Sequence, residues 1–357
     1  MERTLFIQKR ASKAGAQTSL ARLVTSDAVK QLNPVVLLSE EGWLSNYLKD
    51  QSIPIVINLW PSSRSLLGRI GGVSFSAKRI AHELRSRGLK LGMIVANDHQ
   101  ESILANRLSS NFRRIPVAAI LRTPGMSRAD FVKYECVKSS ALFAVGHELQ
   151  NKSQNWFQKE VSLYEEGFSG QEFLSPKTSS SQFPTKILCV GSSIPRKGFI
   201  DFIEAIQLFE KLEPSFKGMN CVLTGDPIEI PNRNSLKCKF EFVGRIENLI
   251  DFARGFDLAI HPSRLESFGL APLELIIAGI PTLVSRTGVI ESLGISDKWC
   301  FEPNNPPAIA QALRALFLKW DISAHEINLQ QETIRKKHNL DKTSKKFANK
   351  ILEFYKK

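Results

Sequence analysis

Short, almost continuous runs of apolar residues alternate along this chain with longer segments in which apolar and polar positions mix. In the first half, the apolar runs lie at 5–8, 35–38, 53–59, 91–96, 117–121 and 141–145. Runs of this length predict strands buried on both faces, and the mixed segment 76–87 is typical of an amphipathic helix between two of them. We therefore expect residues 1–170 to form one doubly wound domain around a parallel sheet.

The second half repeats this alternation without repeating the sequence. Predicted strands lie at 186–190, 220–224, 239–243, 258–260 and 281–285, and predicted helices at 199–212, 246–255, 273–278 and 308–320. The segment 169–186, rich in Ser, Pro and Thr, is typical of a linker or a loop at a domain edge. Residues 171–338 are thus expected to form a second parallel-sheet domain, and 339–357 a basic amphipathic helix that packs on its own protein rather than on a membrane.

Composition fits a soluble globular protein, because 43% of residues are hydrophobic and 23% are charged. No apolar run reaches the roughly 18 residues of a membrane-spanning helix, and the first residues contain too short an apolar core for a signal peptide. The five cysteines are scattered and odd in number, which favours reduced thiols over disulfides or a zinc site. These features predict a cytoplasmic protein.

The net charge of +13 is unevenly distributed. Residues 1–170 hold 23 Lys and Arg against 14 Asp and Glu, a surplus of 9, whereas residues 171–357 hold 25 against 21, a surplus of 4. A basic N-terminal half indicates an anionic partner such as a membrane surface, a phosphorylated substrate or nucleic acid, or simply a solvated basic surface. Nucleic acid is disfavoured because the chain lacks an aromatic RNP-like strand, zinc spacing and a recognition-helix cluster.

The stretch 261–279, HPSRLESFGLAPLELIIAG, carries the clearest candidate chemistry. Glu266 is expected on a loop after a strand, and Glu274 in the first turns of the following helix, with seven residues between them. Pro272 suits a first helical turn, and Gly279 suits a helix end. Carboxylates there can accept hydrogen bonds from sugar or ribose hydroxyls, while the amides around Phe268, Gly269 and Leu270 can receive phosphate oxygens.

Three further turns lie at predicted strand ends. VGSSIPRKGF, residues 190–199, places Arg196 and Lys197 at a strand-to-helix turn, where two cations beside exposed amides suit a diphosphate. Arg245 lies in the loop after the predicted strand 239–243, at the same sheet edge. In the N-terminal domain, a small-residue turn around Gly15 precedes a helix expected from about Gln17, and offers a weaker anion site.

These motifs resemble retaining glycosyltransferases of family 4. The resemblance rests on VGSSIPRKG, FEFVGRIENL, ARGFDLAIHPSRLESFGLAPLELIIAGIPTLVS and the basic C-terminal helix, and it is strong over residues 185–320. It implies the GT-B fold, with two Rossmann-like domains facing a central cleft, an acceptor-side N-terminal domain, and a C-terminal helix that crosses back to that domain. It also implies a nucleotide-diphosphate sugar donor, a saccharide or lipid-linked acceptor, and no cofactor or metal.

The resemblance also implies roles for particular residues. Glu266 would bind hydroxyls of the transferred sugar, and Glu274 would bind the nucleotide ribose. Lys197 would neutralise the diphosphate, and Gly15 would match the N-terminal phosphate-side loop. The loop of Phe268, Gly269 and Leu270 would approach the sugar and the diphosphate.

Two positions depart from the family pattern. Ser192 stands where the family usually has an arginine, so that Arg196 or Arg245 would have to supply the missing cation. Many members also have a histidine at the end of an N-terminal-domain strand, near the sugar. In this chain the matching stretch, AAILRTPG, offers Arg122, and His99 at another strand end is the second candidate.

The expected activity is transfer of a sugar to an acceptor hydroxyl with retention of anomeric configuration, in the assembly of cell-surface polysaccharide, lipopolysaccharide or glycolipid. A peripheral contact with the anionic inner face of the membrane would fit the basic N-terminal half. Two glutamates can also indicate a glycosidase, but the basic turns argue against it. The main alternative is a non-catalytic transferase-like protein that binds anionic membrane or nucleotide ligands.

Overall fold

The computed structural model describes residues 2–62, 65, 71–177 and 183–355. The chain forms two compact units, of which unit 1 contains Met1–Phe168 and His338–Lys357, and unit 2 contains Ser169–Lys337. The chain therefore leaves unit 1 once and returns to it. The predicted return of the C-terminal helix to the first domain is confirmed. The predicted linker includes residues 178–182, which lie outside the described residues.

Unit 1 is built on a parallel sheet whose strand order is β3-β2-β1-β4-β5-β6-β7. Its strands are almost wholly buried, as their apolar sequences predict. They are β1 Arg3–Gln8, β2 Pro34–Leu38, β3 Ile55–Ile57, β4 Leu91–Ala96, β5 Val117–Leu121, β6 Ala141–Ala144 and β7 Val161–Leu163.

The helices of unit 1 cover both faces of this sheet. They are α1 Gly15–Thr25, α2 Asp27–Lys30, α3 Trp43–Asp50, α4 Val73–Ser86, α5 Ser102–Asn111, α6 Arg128–Lys133 and α7 His147–Phe157. From β1 the chain moves outward to β3 and then crosses back to β4, so right-handed connections place α1 and α3 on one face and α4 and α5 on the other. Accordingly, α1 packs against α3, and α4 packs against α5.

Unit 2 contains a second parallel sheet, with the order β10-β9-β8-β11-β12-β13. Its strands are β8 Lys186–Cys189, β9 Asn220–Leu223, β10 Lys239–Phe242, β11 Leu258–His261, β12 Thr282–Ser285 and β13 Cys300–Phe301. Its helices are α8 Phe199–Leu212, α9 Leu249–Ala253, α10 Leu270–Ile277, α11 Ile290–Leu293, α12 Pro306–Leu318 and α13 Ala324–Lys337. The prediction of two doubly wound parallel-sheet domains is thus confirmed.

The last helix, α14 Leu340–Tyr355, packs within unit 1. The buried Phe347 ring contacts the rings of Phe143 and Tyr164, with centroids 4.9 and 5.4 Å apart. On its polar side, Lys346 donates to Glu165 at 2.7 Å. The basic amphipathic tail is therefore a core-covering helix, as the packed interpretation of its sequence predicts.

Several predicted boundaries need correction. The run at 53–59 yields only Ile55–Ile57 as strand, and the helix expected at 246–255 is restricted to Leu249–Ala253. The helix expected from about Gln17 begins at Gly15, so the preceding turn is shorter than predicted. The two-residue strand β13 and the helix α13 were not predicted, because neither has a strong apolar period.

Both sheets reverse their strand order next to the first strand of their unit, at β1/β4 in unit 1 and at β8/β11 in unit 2. In open α/β sheets, ligands bind outside the carboxyl ends of the strands at such a switch point. The loops that follow β1, β4, β8 and β11 are therefore the expected ligand-binding loops.

Candidate functional site

The loop after β8 and the loop after β11 lie in direct contact at the switch point of unit 2. Gly198 has a φ of 72°, and a Cβ added there would lie 1.9 Å from the carbonyl oxygen of Pro262. The Arg264 amide also donates to the carbonyl of Arg196 at 2.8 Å. Because only glycine allows this approach, the spacing of the two loops depends on Gly198.

A buried ion pair between Asp201 and Arg264 also connects the same two segments. The Asp201 side chain in α8 is almost fully buried, and it accepts hydrogen bonds from Arg264 Nε at 2.7 Å and from Arg264 Nη2 at 2.5 Å. Such a bidentate pair is short and directional, so it holds the loop after β11 against the start of α8. Neither residue was predicted as part of the site.

Lys197 and Glu266, both predicted site residues, meet at this edge. Lys197 Nζ donates to Glu266 Oε1 at 2.5 Å, and the carboxylate side chain is 11% exposed. Arg196, the third predicted member of the group, has Nη1 3.9 Å from Glu266 Oε2 and donates to the Leu265 carbonyl at 3.4 Å. The structure therefore brings two cations and one carboxylate together, with one positive charge in excess.

A histidine that was not predicted as a site residue lies behind this group. His261 Nε2 is 3.6 Å from Glu266 Oε1 and 3.4 Å from Ser263 Oγ. Burial lowers the pKa of His261 to about 4, because the charged imidazolium loses its hydration there. The ring is thus neutral at physiological pH. Its position at the end of an apolar run was the signal in the sequence.

The same surroundings act on Glu266 in the opposite sense. Burial is the largest single effect and would raise the pKa of Glu266, but the charge and hydrogen bond of Lys197, together with His261 and Ser263, outweigh it and hold that pKa below the ordinary value. Glu266 is therefore an ionised hydrogen-bond acceptor at neutral pH. It is poorly suited to donate a proton.

The loop from Phe268 to Leu270 connects this group to the start of α10. Gly269 is the N-cap of the helix and has a φ of 92°. Because glycine has no side chain, no side-chain cap occupies the first amides of the helix. The carbonyl of the buried Phe268 accepts from the Val289 amide at 2.8 Å, which fixes the loop from the β12 side. The first turn of α10 thus presents amides at a positive helix end beside Glu266. Glu274 lies in the next turn and is half-buried.

The loops after β9 and β10 continue the edge in the other direction. The Gly191 amide donates to Thr224 Oγ1 at 3.0 Å, and Gly225 forms a bridge with Gly244. Ser192 lies in the loop after β8, and the exposed Arg245 follows Gly244. Since β10 is two strands away from β8, about 10 Å at the usual strand spacing, Arg196 is the arginine nearer to Lys197.

The predicted residues of unit 1 are placed differently. Gly15 opens α1 directly after the turn that follows β1, at the switch point of its sheet. Arg122 is turned inward, where its guanidinium donates to Glu166 Oε1 at 2.6 Å and to Asn97 Oδ1 at 2.9 Å. His99 is fully buried and lies edge-on to the Tyr134 ring, with centroids 4.8 Å apart.

These contacts concern the two residues that were candidates for the place of the family's histidine. Arg122 and His99 both follow strands, as predicted, but His99 is fully buried and the Arg122 side chain is only 9% exposed, so both side chains lie largely in the interior of unit 1. The sequence placed them at strand ends but could not show which way each side chain turns. The placement therefore does not support direct sugar contact by either one.

Unit 1 also contains a lysine and a glutamate at its own switch point that the sequence did not suggest. Glu101 is buried and accepts a hydrogen bond from the Lys9 backbone amide at 3.1 Å, while Lys9 Nζ donates to the Trp60 carbonyl. Burial, helped by the charge of Asp98, raises the pKa of Glu101 to about 8. A small cavity lies here, lined in part by Lys9, Trp60 and Glu101.

Within the described residues, no helix is both long enough and apolar enough to cross a membrane. Residues 170–330, most of unit 2, match the model of the family described as "Glycosyl transferases group 1". This match contains the whole edge formed by Arg196, Lys197, Glu266 and the start of α10.

Two curated relatives match shorter segments. A GDP-mannose-dependent alpha-(1-6)-phosphatidylinositol dimannoside mannosyltransferase of Mycobacterium tuberculosis is 40% identical over 60 residues, 17% of this chain and 16% of that protein. The lipopolysaccharide core biosynthesis mannosyltransferase LpsB of Rhizobium meliloti is 40% identical over 52 residues, 15% of each chain. The similarity thus spans less than a fifth of the length of either relative.

Solved structures resemble the chain over almost its whole length. Anabaena HepE in complex with UDP and glucose is 16% identical, with a TM-score of 0.77 over 99% of this chain and 100% of that one. A glycosyltransferase from Rickettsia africae is 17% identical, with a TM-score of 0.72 over 99% and 98% of the two chains. At these identities the likeness shows the fold alone, and it confirms the predicted GT-B fold class.

Proposed function

We propose that this chain, whose residues 170–330 belong to the glycosyl transferases group 1 family, transfers a sugar from a nucleotide-diphosphate sugar to an acceptor hydroxyl with retention of anomeric configuration. The observation that carries this proposal is the group of Lys197, Arg196 and Glu266 at the switch point of unit 2. It combines a carboxylate that accepts hydrogen bonds with cations that neutralise an anionic leaving group.

Lys197 and Arg196 are assigned to the diphosphate. As the bond between the anomeric carbon and the diphosphate oxygen breaks, negative charge builds on the departing group, so fixed cations stabilise the transition state more than the ground state. The 2.5 Å pair with Glu266 holds Lys197 in place before the donor arrives. This preorganisation reduces the reorganisation that the reaction requires.

Glu266 is assigned to hydroxyls of the transferred sugar. Its lowered pKa keeps it ionised, so it accepts hydrogen bonds without competing for the reacting proton. The neutral His261 behind it offers a second polar contact that adds no charge to the site. Two acceptors and no acid at this point agree better with a sugar-binding site than with the acid and nucleophile pair of a glycosidase.

The remaining predicted residues are assigned to the nucleotide and the phosphates. Glu274 would accept from the ribose, and the amides of Gly269 and Leu270, next to Phe268, would donate to phosphate oxygens. Ser192 contributes a hydroxyl in the loop that also carries Lys197, and Arg245 lies farther along the same edge. Gly15 remains the candidate for a phosphate-side contact in unit 1.

The proposed reaction proceeds on one face of the sugar. The acceptor oxygen bonds to the anomeric carbon as the carbon–oxygen bond to the diphosphate breaks, and the electron pair of that bond goes to the leaving oxygen. The acceptor proton passes to a leaving phosphate oxygen, so no protein nucleophile is required. No cofactor or metal is part of this proposal.

The proposed acceptor is a saccharide or a lipid-linked saccharide used in cell-surface polysaccharide, lipopolysaccharide or glycolipid assembly. The two mannosyltransferase relatives are named for phosphatidylinositol dimannoside and for lipopolysaccharide core, which supports this class of acceptor. The basic unit 1 and the expected cytoplasmic location support peripheral action at the inner face of a membrane.

The test is a thermal-shift screen of nucleotide sugars with purified protein, followed by measurement of nucleotide release. A true donor binds only the folded state. At a hundredfold excess over its Kd it increases the free energy of unfolding by about 2.7 kcal/mol and so raises the melting temperature. Release of nucleoside diphosphate from that donor supports the enzyme. A donor that binds but releases nothing, with any acceptor supplied, would favour the non-catalytic transferase-like protein.

A further inference from the structure

The outward face of α4 in unit 1 carries a stripe of exposed residues at helical spacing. Its opposite face is buried against the sheet through Val73, Ala77, Ile80 and Leu84. The exposed stripe consists of Phe75, Lys78, Arg79, His82 and Arg85. Helical positions three and four apart lie on one side, so these side chains form one continuous surface.

This surface is strongly basic over a short length of chain. Residues 73–90 contain five Lys and Arg and a single carboxylate, Glu83, a surplus of 4. Glu83 is half-buried and is occupied by Arg87 at 2.6 Å and by the Asn58 side-chain amide at 2.5 Å. The one acidic group is therefore directed at Arg87 and Asn58 and leaves the charge of Lys78, Arg79 and Arg85 uncompensated.

Two large apolar side chains lie within the same surface. Phe75 is 72% exposed, and Leu59 is 70% exposed. Arg79 links them, since it follows Phe75 by one helical turn and donates to the Leu59 carbonyl and to Asn58 Oδ1. We call Leu59, Phe75 and the basic stripe from Lys78 to Arg85 the α4 surface.

The end of α5 extends the positive charge. The two helices pack together, and Arg85 donates to the Asn111 carbonyl and lies 4.8 Å from the centre of the Phe112 ring. The next residues, Arg113 and Arg114, are exposed and both have a positive φ near 60°. This backbone is uncommon for residues with a side chain, and here it ends α5 with two adjacent arginines next to the α4 surface.

We propose that the α4 surface docks unit 1 onto an anionic lipid bilayer. The cations would contact headgroups, and Phe75 and Leu59 would enter the interface between headgroups and acyl chains. A polynucleotide would use the same cations and could stack a base on Phe75, but it would gain little from the aliphatic Leu59, whereas a bilayer accommodates the cations and both apolar side chains. Because the apolar face of α4 is already buried in unit 1, the helix would rest on the membrane and would not insert along its length.

This inference deepens the proposed function by giving a lipid-borne acceptor a place from which to reach the enzyme. The docking itself rests on unit 1 alone, and the glycosyl transfer rests on unit 2. The two claims therefore fail in different experiments.

The test is cosedimentation of the full-length protein with extruded vesicles at low ionic strength. One set of vesicles is made of phosphatidylcholine alone, and the other contains phosphatidylglycerol as well. We expect binding only to the second set, and weaker binding as added salt shortens the Debye length. Each basic residue near an anionic surface is worth about a fivefold change in partition.

Three variants examine the α4 surface. Lys78→Glu should weaken vesicle binding by about fivefold or more, and Lys78→Glu with Arg79→Glu by about 25-fold or more, since each change also reverses the sign of a charge. Phe75→Ser should weaken binding at unchanged charge. The matched control is Lys30→Glu with Lys49→Glu, on α2 and α3. It changes the net charge by the same amount as Lys78→Glu with Arg79→Glu, and α3 lies on the other face of the sheet from α4.

The outcomes separate the explanations. Retained binding in the control, together with loss in the three variants, supports the proposal when circular dichroism shows that all are folded. Equal loss in the control would mean that only net charge matters, and would overturn it. If Phe75→Ser binds vesicles as the wild type does, the surface is a general polyanion site and the lipid assignment is wrong.

Failure of the wild type to distinguish the two vesicle sets would also overturn the docking proposal, and so would a Phe75-dependent dimer in sedimentation. Neither result would touch the donor chemistry, because nucleotide release is measured without vesicles. Conversely, vesicle binding without nucleotide release from any donor would leave the docking surface standing and remove the proposed activity.

Discussion

The two units place a lysine and a glutamate at corresponding points, yet their carboxylates behave in opposite ways. Glu101 and Glu266 each lie five residues beyond the end of the strand at the switch point, β4 and β11 respectively. In unit 2, Lys197 Nζ contacts Glu266 directly. In unit 1, Lys9 offers Glu101 only its backbone amide and turns its side chain to the Trp60 carbonyl.

The charge states follow from this one difference. The pKa of Glu266 is lowered because the contacts with Lys197, helped by His261 and Ser263, together outweigh burial, whereas the pKa of Glu101 is raised to about 8 because burial and the charge of Asp98 outweigh the weaker effect of Lys9. Similar residues at similar topological positions thus give an ionised carboxylate in unit 2 and a largely protonated carboxyl group in unit 1. A site for an anionic donor fits the first edge far better than the second.

The largest effect on activity is expected from Glu266→Ala, which tests the contrast between the two glutamates. Loss of the carboxylate removes the proposed contact with the transferred sugar and releases Lys197, so kcat for nucleotide release should fall by about 10²–10³-fold. Glu266→Gln keeps the shape and should lose less, because its amide still accepts one hydrogen bond. Steady-state kinetics measures both.

Glu101→Gln serves as the matched change in unit 1. It should leave nucleotide release unchanged, since Glu101 is not among the groups proposed to bind the donor. An equal loss in Glu101→Gln and Glu266→Ala would erase the contrast between the units. Full activity in Glu266→Ala would mean that the site has been placed wrongly.

Removal of the lysines should give the next largest effect. Lys197→Ala deletes the cation proposed for the diphosphate and leaves Glu266 buried without its partner, so the carboxylate would repel the donor. We expect the Kd of a nucleoside diphosphate to rise by about 10²-fold, the equivalent of about 2.7 kcal/mol. Isothermal titration calorimetry measures this affinity.

Lys9→Ala is the control for that measurement. Its ammonium contacts the Trp60 carbonyl and not a carboxylate side chain, so nucleotide affinity should not change. A loss of affinity comparable to that of Lys197→Ala would show that the two edges serve the donor together, contrary to the assignment of the donor to unit 2.

Much of this fold was predictable because the strands are continuous apolar runs, and α8 was predicted at its observed bounds, Phe199–Leu212. The loop residues Lys197 and Glu266 could also be located, since they follow such runs. What the sequence could not provide is the direction of a side chain. Arg122 turns inward to Glu166, and the Lys9 side chain turns away from the buried Glu101 to the Trp60 carbonyl, and both facts arise from contacts between segments distant along the chain.

Stability measured as a function of pH should distinguish the two glutamates, because their contributions to it change with pH in opposite directions. The folded protein retains the Glu101 proton up to a pKa of about 8, whereas the unfolded chain releases it near its ordinary value, about 4.3. Stability from this group is therefore present at low pH and is lost as pH rises through that window. Glu101→Gln should raise the melting temperature at pH 8 by about 2–4 °C or more, with no gain at pH 4.

Glu266 should behave in the opposite way. Its lowered pKa contributes stability above its unfolded value, and that contribution is lost on acidification below it. Glu266→Gln should thus lower the melting temperature at pH 7, with a smaller difference from the wild type at low pH. Scanning calorimetry at both pH values tests this, and the same sign in both variants would contradict the difference between the pairs.

The smallest expected effect concerns the glycines that open a helix at each edge. Gly269 has a φ of 92°, and a Cβ there would meet Pro272 Cγ at 3.4 Å, an ordinary contact, so Gly269→Ala should cost about 1–2 kcal/mol through the backbone alone. Gly15 has helical backbone as the first residue of α1, so Gly15→Ala should be neutral or stabilise by up to about 1 kcal/mol. Thermal melting measures both, and Gly269→Ala should also weaken nucleotide binding, because it disturbs the amides at the start of α10. Equal melting shifts in the two variants would show that the left-handed backbone of Gly269 is not what distinguishes this edge of unit 2 from that of unit 1.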